Sequence, residues 1–227
     1  MKAIKITNRN IMFTKPTIYG WDLNLGLILG EHRNYIIDTG AGSKDVQPIL
    51  DYLVNNEKPI VVIITHWHWD HVWGNWCFAD NIIISHSLCR EFVDKHWDEE
   101  IEKNTEHVVA GTVHKKLPNL IFEDKLYFPD DGISIFHSPG HTEDCISVCD
   151  EVDRILYAGD NIGDTDDEII PVIDTDLETF QKLIDLYGTY DFDVCISGHN
   201  KPQDKGLIER MRSAFDEHAR KHTKGGT

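Results

Sequence analysis

The chain has 227 residues, with 22 Lys and Arg against 39 Asp and Glu for a formal charge of −17, and its 41% hydrophobic content excludes a disordered chain. Because affinity for phosphate comes from clustered Lys and Arg, the acidic excess excludes nucleic acid and an anionic membrane surface as partners. Five Cys without a C-x-x-C pair exclude a disulfide framework, and no apolar stretch approaches the ~18 residues of a spanning helix, so a cytoplasmic protein with reduced thiols is expected.

No internal repeat or linker divides the sequence, and residues 1–227 are read as a single domain. Leu23, Leu25, Leu27 and Leu29 alternate with polar or small residues, the turn GEHRN follows, and Tyr35-Ile36-Ile37 leads into Asp38-Thr39-Gly40, a hairpin with period 2. Ser43 or Asp45 is expected to cap a helix carrying Val46, Ile49, Leu50, Leu53 and Val54 on one face. The apolar run Ile60 to Ile64 reads as a buried strand, Ile82 to Ile84 as another, and residues 88–103 as a polar helix. Short strands are expected around 126–128, 133–136, 146–149 and 155–158. Thr175 and Glu178 have capping-box spacing ahead of a helix with Leu177, Phe180, Leu183, Ile184 and Tyr187 on one face; a strand at 194–196 and a helix over 207–222 follow. The mixture predicts an α/β fold.

The 13 His are many for a chain so poor in other basic residues, and they cluster. Directly after the strand ending at Ile64 comes Thr65-His66-Trp67-His68-Trp69-Asp70-His71, the pattern H-x-H-x-D-H. Residues i and i+2 leaving a strand face one side, and a tight turn into a helix brings Asp70 and His71 round to a neighbouring point. Imidazole nitrogen with carboxylate oxygen, and no thiolate, is a donor set that zinc, iron and manganese all accept. Three further positions share the context of an apolar strand, a Gly and a ligand type: Gly140-His141-Thr142, Gly159-Asp160 and Gly198-His199. Seven donors in total suit two divalent ions.

In this order of motifs the sequence resembles the metallo-β-lactamase superfamily of hydrolases, over essentially the whole chain. The resemblance implies a four-layer αβ/βα sandwich with the site at one edge between the sheets. It implies His66, His68 and His141 as ligands of a first metal and Asp70, His71 and His199 as ligands of a second, with Asp160 between them. Dinuclear class B β-lactamases usually carry Cys at the bridging position, so Asp160 points away from β-lactam hydrolysis as the main role. Flavodiiron proteins have Glu where this chain has His68. The pattern is most similar to the glyoxalase II and lactonase branch. The helical C-terminal domain of glyoxalase II is not represented, so its substrate is not carried over, and Pro139-Gly-His-Thr departs from the usual loop at Glu143-Asp144-Cys145.

The implied chemistry is hydrolysis by a metal-bound hydroxide of a small acyl substrate, a thioester, lactone or ester, with zinc as the expected metal and iron or manganese as alternatives. Asp70 is the expected catalytic residue, orienting the nucleophile and carrying its proton to the leaving group. The alternatives are a mononuclear iron oxidoreductase resembling the persulfide dioxygenases, which use the equivalents of His66, His141 and Asp160, and a β-lactam hydrolase.

Several residues have two readings. Asp38 is either an orienter of a ligand or a turn former. Trp67, Trp69, Trp73 and Trp76 are read as packing more than as a substrate pocket, and Cys145 and Cys149 as buried strand residues. His32, His86, His96, His107, His114, His137, His218 and His222 are read as ordinary surface or core residues. Asp164, Asp166, Asp167 and Glu168 form a solvated acidic loop that would disfavour anionic substrates if it overhangs the site.

Overall fold

The computed structural model describes residues 1–224, with side chains described except at 105–107 and 221–224, so the readings of His107 and His222 lie outside the described residues. Seven strands form the first sheet in sequential order: β1 (Lys2–Lys5), β2 (Asn10–Pro16), β3 (Asp22–Leu29), β4 (Asn34–Ile37), β5 (Ile60–Ile63), β6 (Ile82–His86) and β7 (Leu120–Phe122). Strands β1 to β4 pair antiparallel, whereas β4 to β7 are parallel, because helices now cross between them. These helices are α1 (Ser43–Tyr52), the single turn α2 (Trp69–Val72) and the long α3 (Ser87–Val108).

The second sheet has six strands: β8 (Lys125–Phe128), β9 (Ile133–His137), β10 (Ile146–Asp150), β11 (Ile155–Gly159), β12 (Val194–Ser197) and β13 (Gln203–Asp204). Only β11 and β12 are parallel, joined through α4 (Leu177–Thr189), and α5 (Leu207–Lys224) follows β13.

Alternation along the strands divides the apolar side chains into three cores. Val61 and Ile63 of β5 face Ile146 and Val148 of β10 and Ile155 and Tyr157 of β11 between the sheets. Val62 and Ile64 face the opposite way, with Val46 and Ile49 of α1 and Cys89 and Val93 of α3. Leu156, Ala158 and Cys195 pack under Phe180, Leu183, Ile184 and Tyr187 of α4 and Met211 of α5. The layers therefore run helix, sheet, sheet, helix, as the expected αβ/βα sandwich requires.

Several local expectations shift. Strands β1 and β2 carry no clean period-2 signal, because β2 is buried on both faces, with Ile11 and Phe13 in the helix-side core and Met12 between the sheets. The helix over 88–103 extends to Ser87–Val108. Helix α1 has no side-chain cap: Ser43 Oγ accepts from the Thr112 amide instead (2.9 Å), Asp45 from the Ala41 amide (3.0 Å), and Val54 lies beyond the helix, 76% exposed. The cap of α4 is Asp176, which accepts from the Thr179 amide (2.8 Å), and Thr175 donates to the Gly140 carbonyl (2.6 Å). The capping box is displaced because Thr175 is committed to the His141 loop.

Candidate metal centre

The parallel strands β5, β11 and β12 end at one edge of the sandwich, where their loops meet. His66 leaves β5, and His68 is still extended (φ −60°, ψ 148°) as it opens α2, whose one turn swings Asp70 and His71 inward. The Thr39 amide and hydroxyl both donate to the His71 carbonyl, at 2.9 and 3.0 Å, tying that turn to the end of β4. His141 lies in the β9–β10 loop, Asp160 follows β11, and His199 follows β12. All seven candidate ligands converge. They fall into one group of His66, His68, His141 and Asp160 and another of Asp70, His71 and His199, the donor atoms within each lying within 4.8 Å of one another.

His68 Nδ1 is 3.0 Å from His66 Nε2 and 3.1 Å from His141 Nε2. In the second group His199 Nε2 is 3.4 Å from Asp70 Oδ2, and His71 Nε2 is 3.8 Å from it. The Asp160 carboxylate spans the two, with Oδ2 at 3.6 Å from His66 Nε2 and 3.0 Å from His199 Nε2, and Oδ1 at 3.3 Å from His71 Nε2.

The far side of four of the five rings is also fixed. His141 Nδ1 donates to the Val172 carbonyl (2.7 Å), His199 Nδ1 to the Asp22 carbonyl (2.9 Å) and His71 Nδ1 to Asp38 Oδ2 (2.8 Å). The Thr65 hydroxyl donates to Asp38 Oδ2 (2.8 Å), which leaves its oxygen to accept from His66 Nδ1 at 3.2 Å. A ring whose Nδ1 carries the proton presents a lone pair at Nε2, so these partners aim four imidazole Nε2 atoms at the centre. Asp38 also accepts from the Thr65 amide (2.7 Å) and has φ 62°, a conformation Asp tolerates, so it is an orienter as well as a turn former.

Burial lowers the pKa of His66 and His68, the latter to about 3, with the neighbouring imidazoles adding to the effect. Burial acts in the same direction at His71 and His199, but the Asp160, Asp38 and Asp70 carboxylates outweigh it at His71, and Asp160 and Asp70 do so at His199, which rises to about 9. Burial raises Asp70. The carboxylates therefore create a negative potential at the Nε2 atoms, where a cation is favoured.

Glycine is required at two of these corners. A Cβ on Gly198 would lie 2.1 Å from Asp160 Oδ1 and 2.9 Å from His71 Cε1, and one on Gly140 would lie 2.4 Å from Leu183 Cδ2. Asn161 holds the His141 loop: Oδ1 accepts from the His141 amide (2.9 Å), and Nδ2 donates to the Ser138 carbonyl (2.8 Å) and to the Tyr187 hydroxyl (2.9 Å).

A cleft of about 1110 Å3 opens above the centre, with His68, Asp70, His141, Asp160 and His199 in its lining. The acidic loop does overhang it, since Asp164, Asp167 and Glu168 line one wall, and Glu217 and His218 of α5 reach it as well. Trp21, at the tip of the β2–β3 hairpin, lies over His199 with ring centroids 4.1 Å apart. Trp67 packs against Phe92 and His96 of α3, and Trp73 is buried, as expected, whereas Trp69 lines the cleft. Trp21 and Asn161 carry no motif, and Asn161 is marked only by its place after Asp160. His86, read as ordinary, accepts from the Leu88 amide at the start of α3 and stacks on His137.

The sequence model of the metallo-beta-lactamase superfamily matches residues 19–199, which hold every candidate ligand. The chain belongs to the metallo-beta-lactamase superfamily. Among its curated relatives is the human acyl-coenzyme A thioesterase MBLAC2, 24% identical over 211 residues, with 83% of this chain and 71% of that protein covered. Another is the atrochrysone carboxyl ACP thioesterase AacuM of Aspergillus aculeatus, 25% identical over 158 residues, with 68% of this chain and 44% of that protein covered. The fold matches the solved DIM-1 metallo-beta-lactamase with a TM-score of 0.76 at 17% identity, over 96% of this chain and 97% of that one. It matches the metallo-beta-lactamase from Pontibacter korlensis with a TM-score of 0.73 at 20% identity, over 95% and 98%.

The divalent ions typical of this superfamily fit the residues present. His71 Nε2 and Asp160 Oδ1 are buried without a hydrogen-bond partner, although the surrounding polar groups are otherwise well supplied. Two such atoms facing each other across 3.3 Å are placed as donors to a shared cation. The chain is a metal-dependent hydrolase. No helix among the described residues is long and apolar enough to cross a membrane.

Proposed function

We propose that this metallo-beta-lactamase superfamily protein hydrolyses a small thioester through two divalent ions, with lactones and oxygen esters as secondary substrates. The convergence of two ligand groups on the single carboxylate of Asp160 carries this reading. His66, His68 and His141 would hold one ion and Asp70, His71 and His199 the other, with Asp160 shared. The mixed nitrogen and oxygen donors suit zinc, and also iron or manganese. Bound there, the ions supply Lewis acidity and a nucleophilic hydroxide at neutral pH.

The chain's own residues do the rest. The Asp38, Val172 and Asp22 acceptors hold the imidazoles in one tautomer, so the donor atoms need no reorganisation when substrate arrives. Asp70, buried and with Oδ2 turned to His199 Nε2 at 3.4 Å as the ligand atom, keeps Oδ1 to take a proton and return it to a leaving sulfur. A thiolate departs with less help from a proton than an amine does, which favours thioesters over amides. Trp21 covers the His199 ring at one side of the cleft. The relatives named as thioesterases support the same class. The five free cysteines support the cytoplasm as the compartment.

Metal analysis of the purified protein together with a hydrolysis screen of thioesters, lactones and β-lactams tests the reading. Two metal equivalents per chain and thioester turnover lost on chelation are expected. A single iron with oxygen consumption on a persulfide, or turnover confined to β-lactams, would overturn it.

A further inference from the structure

The cleft is built unevenly, and its two ends favour different chemistry. On one side, beyond Trp21 and Trp69, lies a second pocket of about 230 Å3 lined by Pro16, Ile18, Tyr19, Leu23, Val108 and Val109, and by Lys15, whose ammonium pairs with Asp45. Trp21 and Trp69 line this pocket and the cleft alike, so the two adjoin across these rings. A dry cavity of ~150 Å3 accepts benzene, and by that scale this one takes an apolar group of roughly nine carbon atoms.

On the other side the wall is acidic. Asp164, Asp167 and Glu168 come from the loop after β11, ahead of the apolar run Ile169 to Ile173 that lines the cleft with them, and no Lys or Arg is among the lining residues. The nearby Lys201 is engaged by Asp166. Asp160 Oδ1, buried and without a hydrogen-bond partner, lies at the base of the same cleft, which fixes where the reacting bond must sit relative to both walls.

Resting on the thioester reading above, we infer that the apolar pocket receives the acyl chain and that the acidic wall faces the carrier, so that this cleft selects uncharged or cationic carriers and discriminates against phosphate-bearing ones such as coenzyme A. Coenzyme A brings roughly four negative charges from its phosphates to a wall that offers no Lys or Arg, and like charge held across a cleft lowers both encounter and binding. An uncharged thiol carrier meets no such penalty. The chain's charge of −17 adds a long-range field of the same sign.

The test holds the acyl group constant as hexanoyl and varies the carrier: coenzyme A, N-acetylcysteamine and thiocholine, assayed on the metal-loaded protein. At low ionic strength, kcat/KM for the two phosphate-free esters should exceed that for the coenzyme A ester by at least ~10-fold, with the gap narrowing as salt screens the wall. The double variant Asp167→Asn, Glu168→Gln should reduce the ratio of N-acetylcysteamine to coenzyme A turnover several-fold. Binding of the non-hydrolysable S-hexyl thioethers of the three carriers, read from tryptophan fluorescence, should follow the same order. Turnover of the coenzyme A ester equal to or above the others would overturn this inference and leave the hydrolase reading standing. Absence of turnover with all three thioesters would overturn both.

Discussion

Asp38 offers the sharpest test of how the centre is held. Its carboxylate accepts from His71 Nδ1, the Thr65 hydroxyl and the Thr65 amide at 2.8, 2.8 and 2.7 Å, and its backbone has φ 62°. Asn tolerates that conformation as Asp does, so Asp38→Asn keeps the turn while replacing one acceptor oxygen with an amide that donates. An amide placed at Oδ2 would face two donors, and His71 would lose the partner that keeps its proton on Nδ1. Loss of such a partner typically costs 10–100-fold in metal affinity, about 1.4–2.8 kcal/mol. Because Asp38 contacts His71 and not His68 or His141, the two-ion proposal expects the loss to fall mainly on the ion that His71 would hold. Competition titration with a graded chelator, monitored by released metal, resolves the two steps. An Asp38→Asn protein in which both steps stay within about threefold of wild type would refute the orienting role and leave Asp38 a turn former.

Other perturbations probe different parts of the site. In Gly198→Ala the added methyl, 2.1 Å from Asp160 Oδ1, must displace that carboxylate, and kcat/KM should fall on the order of 100-fold; a loss under threefold would contradict the close approach. Burial pushes Asp144 up to about 6, and neither of its oxygens makes a hydrogen bond of ordinary geometry, though Thr142 and Cys89 lie close enough to temper the effect. The folded state therefore holds this proton more tightly than the unfolded one. The resulting stability, up to about 3 kcal/mol, is present below pH 4 and lost as pH rises through 6. Denaturant unfolding in chelator at several pH values should show that slope in wild type and its absence in Asp144→Asn; parallel profiles would reject it. Metal at ~1,000 times its Kd stabilises by about 4 kcal/mol, so chelation should lower Tm by about 8–16 °C, and an unchanged Tm would show that the buried donors hold no ion.

The candidate ligands were legible in the sequence because each lies in a loop or turn that leaves an apolar strand, so local order along the chain is enough to place it at the same edge. The resemblance then supplied their grouping into two sets. What was hidden depends on distant packing. Trp21 reaches His199 across the β2–β3 hairpin, and Asn161 reaches Ser138 and Tyr187, contacts without any spacing rule. Strand β2 escaped because burial on both faces erases alternation, and the capping box misled because Thr175 has a tertiary partner, the Gly140 carbonyl. Trp69 has the same sequence context as Trp67, yet α2 turns it to the cleft while Trp67 faces α3.

The distribution of the donors has a consequence for how the protein comes into being. His66 to His71 belong to the first half, His141 and Asp160 to the second, and His199 Nδ1 reaches back to the Asp22 carbonyl at the start of β3. The Asn24 amide likewise donates to the Gly198 carbonyl (2.7 Å). During synthesis neither donor group can close on the first half alone, and the second group waits for β12 to dock beside β11. The centre is thus a checkpoint on completed assembly: both donor groups are complete only when the two sheets have met in register, and a chain arrested before His199 would lack that final lock.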